Sequence, residues 1–369
     1  MSSAPRVVQC TRVPSAYLQE AHDRGDIRLT VWTPAEDEAH LTTAPRAWLL
    51  EHAPGASALL VVLQNRVDAE LLDRAGDSLR VVSTMSVGYD HIDLDACAQR
   101  NVRVGYTPHV LTEAVADTAV LLALMGTRHA LPASRLVSDG RWPKTPMRPL
   151  TLTGPSLEGK TIGFVGFGAI AQTAARRLAS FRPKRVVYTA SKPKPFDANS
   201  SAFAPLLDDV LGTYVRAHGR LPFDLENVED VGEMAAEADV LIVLANLSPS
   251  THHIVNADVL KRMKKTATVV NVARGPLIDT DALVDALKRD ALACAALDVL
   301  EGEPQITPDH PLLAPELADK VVLLPHIGSA TYEAREGMAN YATLNLLAGL
   351  SLRPGAEKDK FCAELTLPK

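Results

Sequence analysis

The sequence predicts an α/β protein of two domains, each built on a parallel sheet covered by helices. Three features point there. Short apolar runs alternate with helical patterns along most of the chain, as parallel strands joined by helical crossovers require. The 369 residues exceed the usual size of one domain and suffice to bury two cores. A stretch rich in proline and glycine, 138–160, interrupts the alternation, and a second αβ series begins after it.

In the first series the strand candidates are RVVQCTRV, DIRLTVW, ALLVVLQN, LRVVSTM and VRVGYT. A long helical pattern, LTEAVADTAVLLALMG (111–126), follows, and SDGRWPKTPMRPLTLTGPSLEGK (138–160) reads as an excursion between structural units. The second series has strands at TIGFVG (161–166), RVVYT (185–189), DVLIVLA (239–245), ATVVNVA (267–273), ACAALDV (293–299) and KVVLLP (320–325). The last pattern, TYEAREGMANYATLNLLAGL (331–350), reads as a helix that packs back on the first unit. The expected organisation is therefore a discontinuous domain of residues 1–110 and 332–369 around a domain of residues 111–331.

Composition excludes several classes. Hydrophobic residues make up 47 % of the chain, charged residues 22 %, and the formal charge is −6. No apolar run approaches the ~20 residues needed to cross a bilayer, and the start, MSSAPRVVQCTRV, lacks a basic region followed by an apolar stretch. A cytoplasmic protein with no membrane partner is expected. The mildly acidic balance argues against nucleic acid, and KRMKK (261–265) reads as the solvated end of a helix. Cys10, Cys97, Cys294 and Cys362 are scattered with no CxxC pair, which suggests reduced thiols, neither a disulfide framework nor a zinc site. No metal is expected.

Chemistry begins at GFVGFGAIAQTAARRLASF, where Gly166, Gly168 and Ala171 form a G-x-G-x-x-A pattern between a strand and a helix. Gly166 permits the tight turn, Gly168 lets backbone approach a pyrophosphate, and Ala171 allows close packing of helix on strand. An anion then sits at the helix N-terminus, the arrangement of a Rossmann-type coenzyme domain. At the end of the next strand an acid would bind the ribose hydroxyls of NAD. The chain has VVYTASKPKP there instead, so Ser191, Lys192 and Lys194 fit the extra phosphate of NADP. NADP(H) is the expected cofactor, with NAD(H) possible.

Ligands of open α/β sheets bind beyond the carboxyl ends of the strands. TVVNVA runs into Arg274, ACAALDV contains Asp298 and leads to Glu303, and KVVLLP delivers His326. A lone histidine beside an apolar run is usually structural. An arginine, two carboxylates and a histidine on the rim where a cofactor should lie point instead to a reaction centre.

STMSVGYDHIDLDACAQRNVRVGYTPHVLTEAVADTAVLLAL, NVARGPLIDTDAL, ALDVLEGEP and LLPHIGSAT together resemble the D-2-hydroxyacid dehydrogenase family, and within it most closely the glyoxylate/hydroxypyruvate reductases. The resemblance covers nearly the whole chain. It implies two αβ domains, a coenzyme domain and a flavodoxin-like substrate domain, with a cleft between them. It also implies a homodimer whose contact involves about 111–155. Arg274 would hold the substrate carboxylate and keto oxygen, His326 would be the acid/base, and Glu303 would be its partner. A carboxylate beside an imidazole favours the protonated ring, which can donate to a carbonyl while hydride reaches the keto carbon. The backbone N–H groups around Val87 and Gly88 would receive the substrate carboxylate, and Leu63 would form part of an apolar wall. Cofactor contacts carried over by motif are Ala169, Ile170, Asn246, Val272, Asp298 and Gly328. Ser329 is a candidate partner for the hydroxymethyl group of hydroxypyruvate, because a site built to hydrogen-bond a hydroxyl discriminates more strongly than an apolar pocket.

The chain departs from the family pattern in places. The usual GRIG is GAIA here, which removes an arginine near the phosphates, and Asn246 stands where relatives often have serine. PKTPMRP after Trp142 lacks a second tryptophan that such reductases can insert into the partner's site. The segment from Phe196 to Asp230 is longer than usual and reads as a surface elaboration. The expected activity is NADPH-dependent reduction of glyoxylate and hydroxypyruvate to glycolate and D-glycerate. The alternatives are a dehydrogenase of the same family with a bulkier substrate, or a nicotinamide-sensing corepressor-like binding protein.

Overall fold

A computed structural model describes residues 4–36, 41–192 and 194–368. The chain divides into two compact units, residues 1–111 with 330–369, and residues 112–329. Among the described residues no helix is long and apolar enough to cross a membrane.

The first unit holds β1 (Arg6–Gln9), β2 (Arg28–Val31), β3 (Ala58–Val61), β4 (Val81–Thr84) and β5 (Arg103–Gly105), all parallel in the order β2-β1-β3-β4-β5. This is the flavodoxin-like order. Every residue of β3 and β4 is buried, as strands covered by helices on both faces must be. The helix Tyr332–Gly349 supplies part of that cover. Thr331 caps its start by accepting from Ala334 N–H, and Leu346 and Leu347 join one apolar cluster with Val7, Leu60 and Val81. Polar groups fix its register. The Ser83 hydroxyl donates to the Ala342 carbonyl at 2.7 Å, and buried Asn345 donates to Tyr106 O at 2.9 Å while accepting from Cys362 N–H at 2.7 Å.

The second unit holds β6 (Thr161–Val165), β7 (Arg185–Thr189), β8 (Asp224–Asn227), β9 (Val240–Val243), β10 (Thr268–Asn271), β11 (Cys294–Leu297) and β12 (Val321–Leu323). All are parallel in the order β12-β11-β10-β9-β6-β7-β8. The chain runs outward from β6 to β8, returns to lay β9 against the other side of β6, and continues away to β12. That reversal opens a crevice beyond the carboxyl ends of β6 and β9, where doubly wound sheets bind ligands.

One reading needs correction. The segment from Phe196 to Asp230 is more than a surface elaboration, because it contributes the seventh strand, β8, which pairs with β7 from Arg185↔Asp224 to Tyr188↔Asn227. The sequence of β8, DLEN, has no apolar run because it lies at the sheet edge, where charged residues discourage pairing with other chains. The segment brings its own core as well, with Phe203, Leu206, Leu211, Leu221 and Phe223 buried.

All four cysteines are free thiols, and burial pushes Cys10, Cys97 and Cys294 up to about 12. Several large apolar side chains are exposed between residues 121 and 150, among them Leu121, Val137, Trp142, Met147 and Leu150.

Candidate active site

The glycine turn follows β6 directly. Gly166 has φ +89°, and a Cβ there would come within 2.8 Å of the Ala245 backbone, so any side chain would collide with the chain leaving β9. Gly168 is exposed, and a Cβ on it would meet nothing within 4 Å. The helix Ala169–Leu178 begins there with no side-chain cap on its first N–H groups, while Ala171 is buried on the inner face. Ala169 and Ile170 are half-buried at that first turn. Uncapped N–H groups, the positive end of the helix dipole and an open approach fit a phosphate group.

Between the glycines, Phe167 is buried and stacks on Tyr188 with centroids 4.0 Å apart. Its carbonyl accepts from Gln172 Nε2 at 3.1 Å and from Lys194 Nζ at 3.4 Å. The loop after β7 thus divides its basic residues. Ser191 and Lys192 are exposed. Lys194 turns inward over the Phe203 ring, and burial lowers the pKa of its ammonium. Its backbone is fixed too, because Lys194 N–H donates to Asn227 Oδ1 of β8 at 2.7 Å and its carbonyl accepts from the Tyr188 hydroxyl.

His326 sits beyond β12 with φ +54°, a left-handed conformation that costs a non-glycine residue on the order of 1–3 kcal/mol. Asp298, beyond β11 and 1 % exposed, holds it there. The Asp298 carbonyl accepts from His326 N–H at 2.8 Å, and its carboxylate oxygens accept from Ile327 N–H at 2.7 Å and Gly328 N–H at 2.8 Å. Burial pushes the Asp298 carboxyl above its usual range, against the opposing pull of those two bonds and of His326. Each oxygen still has a lone pair for another donor. Thr118 Oγ1 adds a bond to the Gly328 carbonyl at 3.3 Å.

The turn aims the imidazole at Glu303. His326 Nδ1 lies 2.5 Å from Glu303 Oε1, and Glu303 Oε2 accepts from Leu300 N–H at 3.0 Å. The carboxylate is fixed at both ends and fixes the ring in turn. With Nδ1 committed to Glu303, Nε2 is the nitrogen left to exchange a proton with a bound molecule.

Arg274 follows β10. Asn271, buried at the end of that strand, donates from Nδ2 to the Arg274 carbonyl at 2.8 Å and accepts from Ala273 N–H at 3.0 Å, which shapes the exit of the strand. Arg274 also donates from Nη1 to the Ala273 carbonyl at 2.8 Å. The next residue must be glycine, since a Cβ on Gly275 would lie 2.2 Å from the Leu300 backbone. That close approach brings the arginine loop against the turn that carries Glu303. Val272 is buried, Asn246 is exposed after β9, and Ser329 is half-buried beside buried Gly328. The expected residues of this unit therefore gather on the carboxyl edge of one sheet. Asn271 and Thr118 were not singled out in the sequence. A lone asparagine closing the apolar run TVVN is the signal that marks the former.

In the first unit, Leu63 lines a recess of about 330 Å³ together with Arg66, Asp90 and His91. The turn containing Val87 and Gly88 follows β4 and is tightened from within. Ser86 donates to the Gly88 carbonyl at 2.7 Å, and Thr84 Oγ1 lies 2.7 Å from Ser86 Oγ and 3.0 Å from His91 Nε2.

Residues 120–214 and 213–328 match the family model for the NAD-binding domain of D-isomer specific 2-hydroxyacid dehydrogenases. The chain is 40 % identical over 321 residues to a glyoxylate reductase of Thermofilum pendens, covering 86 % of this chain and 83 % of that protein. It is 40 % identical over 300 residues to a human glyoxylate reductase/hydroxypyruvate reductase, covering 81 % and 83 %. An NADPH-dependent glyoxylate/hydroxypyruvate reductase of Sinorhizobium meliloti, solved with NADP and malonate, has a similar structure. Its TM-score is 0.74 at 30 % identity, covering 97 % of this chain and 98 % of that one.

Asp298→Ala leaves the buried Gly328 N–H without an acceptor, which should lower the unfolding free energy by about 2 kcal/mol. Urea unfolding followed by circular dichroism measures this. An unchanged midpoint would mean that the carboxylate does not hold the turn.

Proposed function

The chain belongs to the D-isomer specific 2-hydroxyacid dehydrogenases, and from that premise we propose that it reduces glyoxylate and hydroxypyruvate with NADPH, His326 giving the proton. The observation that carries the proposal is the Glu303–His326 pair at 2.5 Å, which commits Nδ1 and leaves Nε2 as the donor. The names of the relatives support the substrate class.

When bound, the nicotinamide cofactor supplies the hydride. The open approach at Gly168 and the uncapped N-terminus of Ala169–Leu178 suit its phosphates, with Ala169 and Ile170 in the first turn. Asn246, Val272, Asp298 and Gly328 are the further cofactor positions. Ser191 and Lys192, exposed where a ribose-binding acid is absent, are read as the residues that recognise the extra phosphate of NADP. Lys194, bound to the Phe167 carbonyl, shapes the loop and adds positive charge beside the glycine turn. That charge offsets the arginine missing from GAIA.

The chain's own residues do the rest. Arg274 offers the substrate carboxylate a charged two-pronged donor. His326 transfers the Nε2 proton to the keto oxygen as negative charge develops there, and Glu303 holds the ring in place through Nδ1. Val87 and Gly88 supply backbone N–H donors for the carboxylate, Leu63 an apolar wall, and Ser329 a hydrogen-bond partner for a hydroxymethyl group. Exposed Leu121, Val137, Trp142, Met147 and Leu150 suit a homodimer formed through about 111–155.

Steady-state assays across a panel of 2-keto acids test this reading. Hydroxypyruvate and glyoxylate should give higher kcat/KM than pyruvate or branched and aromatic acids, with NADPH preferred over NADH, and Lys192→Ala should narrow that preference. A branched or aromatic acid preferred over both small substrates would contradict the substrate class. Separately, His326→Asn should keep cofactor binding, measured by fluorescence titration, and lose about 10²- to 10⁴-fold in kcat. Near wild-type turnover would remove His326 as the donor.

A further inference from the structure

His252, His253 and Glu301 form a second cluster on the same unit, on the loops after β9 and β11, and the mechanism above uses none of them. Each offers one ligand atom, and the three atoms lie within 4.8 Å of one another. His253 Nε2 is 2.9 Å from Glu301 Oε1, and the two imidazoles stack with centroids 3.9 Å apart. The other ring nitrogen of His253 faces Asp279 Oδ2 at 3.9 Å.

The backbone holds this arrangement in place. His253 has φ +51°, and its N–H donates to the Pro276 carbonyl at 2.8 Å. His252 N–H donates to Ser248 O at 3.0 Å, and Asp279 N–H donates to Val255 O at 3.1 Å.

We propose that His252, His253 and Glu301 bind a divalent transition-metal ion of the zinc type, with His253 Nε2 and a Glu301 oxygen as the prepositioned pair and His252 as the third ligand. Imidazole donors select zinc, copper or nickel over magnesium and calcium, whose preferred ligands are oxygens. Bonds of about 2.0–2.1 Å require tetrahedral ligands roughly 3.4 Å apart, so the His253–Glu301 pair, now 2.9 Å apart, has to open slightly and the exposed His252 ring to close on it. Three protein ligands leave a coordination position for water. Asp279 stands where a carboxylate orients a ligating histidine through its other nitrogen. Glu301 also lies in the turn that carries Glu303, so a bound ion would tie the loop of 248–253 to that turn.

Calorimetric titration of chelator-treated protein with zinc chloride, and separately with magnesium chloride, tests the proposal. Zinc should bind saturably at one ion per chain, and magnesium should not bind. His252→Ala removes an exposed side chain, and Asp279→Asn keeps the oxygen that caps the helix Thr280–Lys288. Asp279→Asn should weaken zinc binding about 10- to 100-fold, and His252→Ala at least as much. With cobalt as the probe, the visible absorption of histidine and carboxylate ligation should appear in the wild type and fade in both variants. Zinc isotherms unchanged by either substitution, no saturable zinc binding, or magnesium binding of equal strength would each overturn the assignment.

Discussion

A single buried carboxylate organises the reactive edge of the second unit. Asp298 gives both oxygens to consecutive backbone N–H groups, those of Ile327 and Gly328, while its carbonyl takes the N–H of His326. Three bonds from one residue hold a histidine in a conformation that the unconstrained chain disfavours, and this sends the imidazole towards Glu303 instead of along the strand. Burial of an ion is costly unless its oxygens are hydrogen-bonded, and here the turn gives each oxygen a donor. The same bonds that make the buried charge tolerable therefore fix the geometry of His326.

The glycine turn follows a related logic, with backbone shape doing what charge does at Asp298. Gly166 has no room for a Cβ beside Ala245, and Gly275 has none beside Leu300. Both close approaches pull loops of neighbouring strands together at the carboxyl edge of the sheet. Lys194 then brings a cation to the Phe167 carbonyl inside the glycine turn. The edge strand β8 supports that placement through Asn227, so the long segment between β7 and β9 shapes the loop that follows β7.

Most of the fold was legible because its strands are buried on both faces and therefore appear as apolar runs. β8 was not, since an edge strand such as DLEN carries its signal in pairing and not in hydrophobicity. The places of the glycine turn, Arg274, Glu303 and His326 at the carboxyl edge of the sheet were legible because each follows an apolar run, and the topology of a parallel sheet puts those ends together. The inward turn of Lys194 was not, because three basic or polar residues in four positions look alike until packing against Phe203 separates them. Asn271 was similarly hidden within a strand, and His252 and His253 acquire meaning only when Glu301, 48 residues beyond His253, folds against them.

The central claim is that Glu303, by taking Nδ1, holds the His326 ring so that Nε2 is the nitrogen presented to the keto oxygen. Steady-state kinetics of hydroxypyruvate reduction in Glu303→Ala test it most directly, because the substitution removes the partner of Nδ1 and leaves His326 in place. The expected result is a fall in kcat of about 10²-fold or more with cofactor binding, measured by fluorescence titration, retained. A wild-type kcat would contradict it.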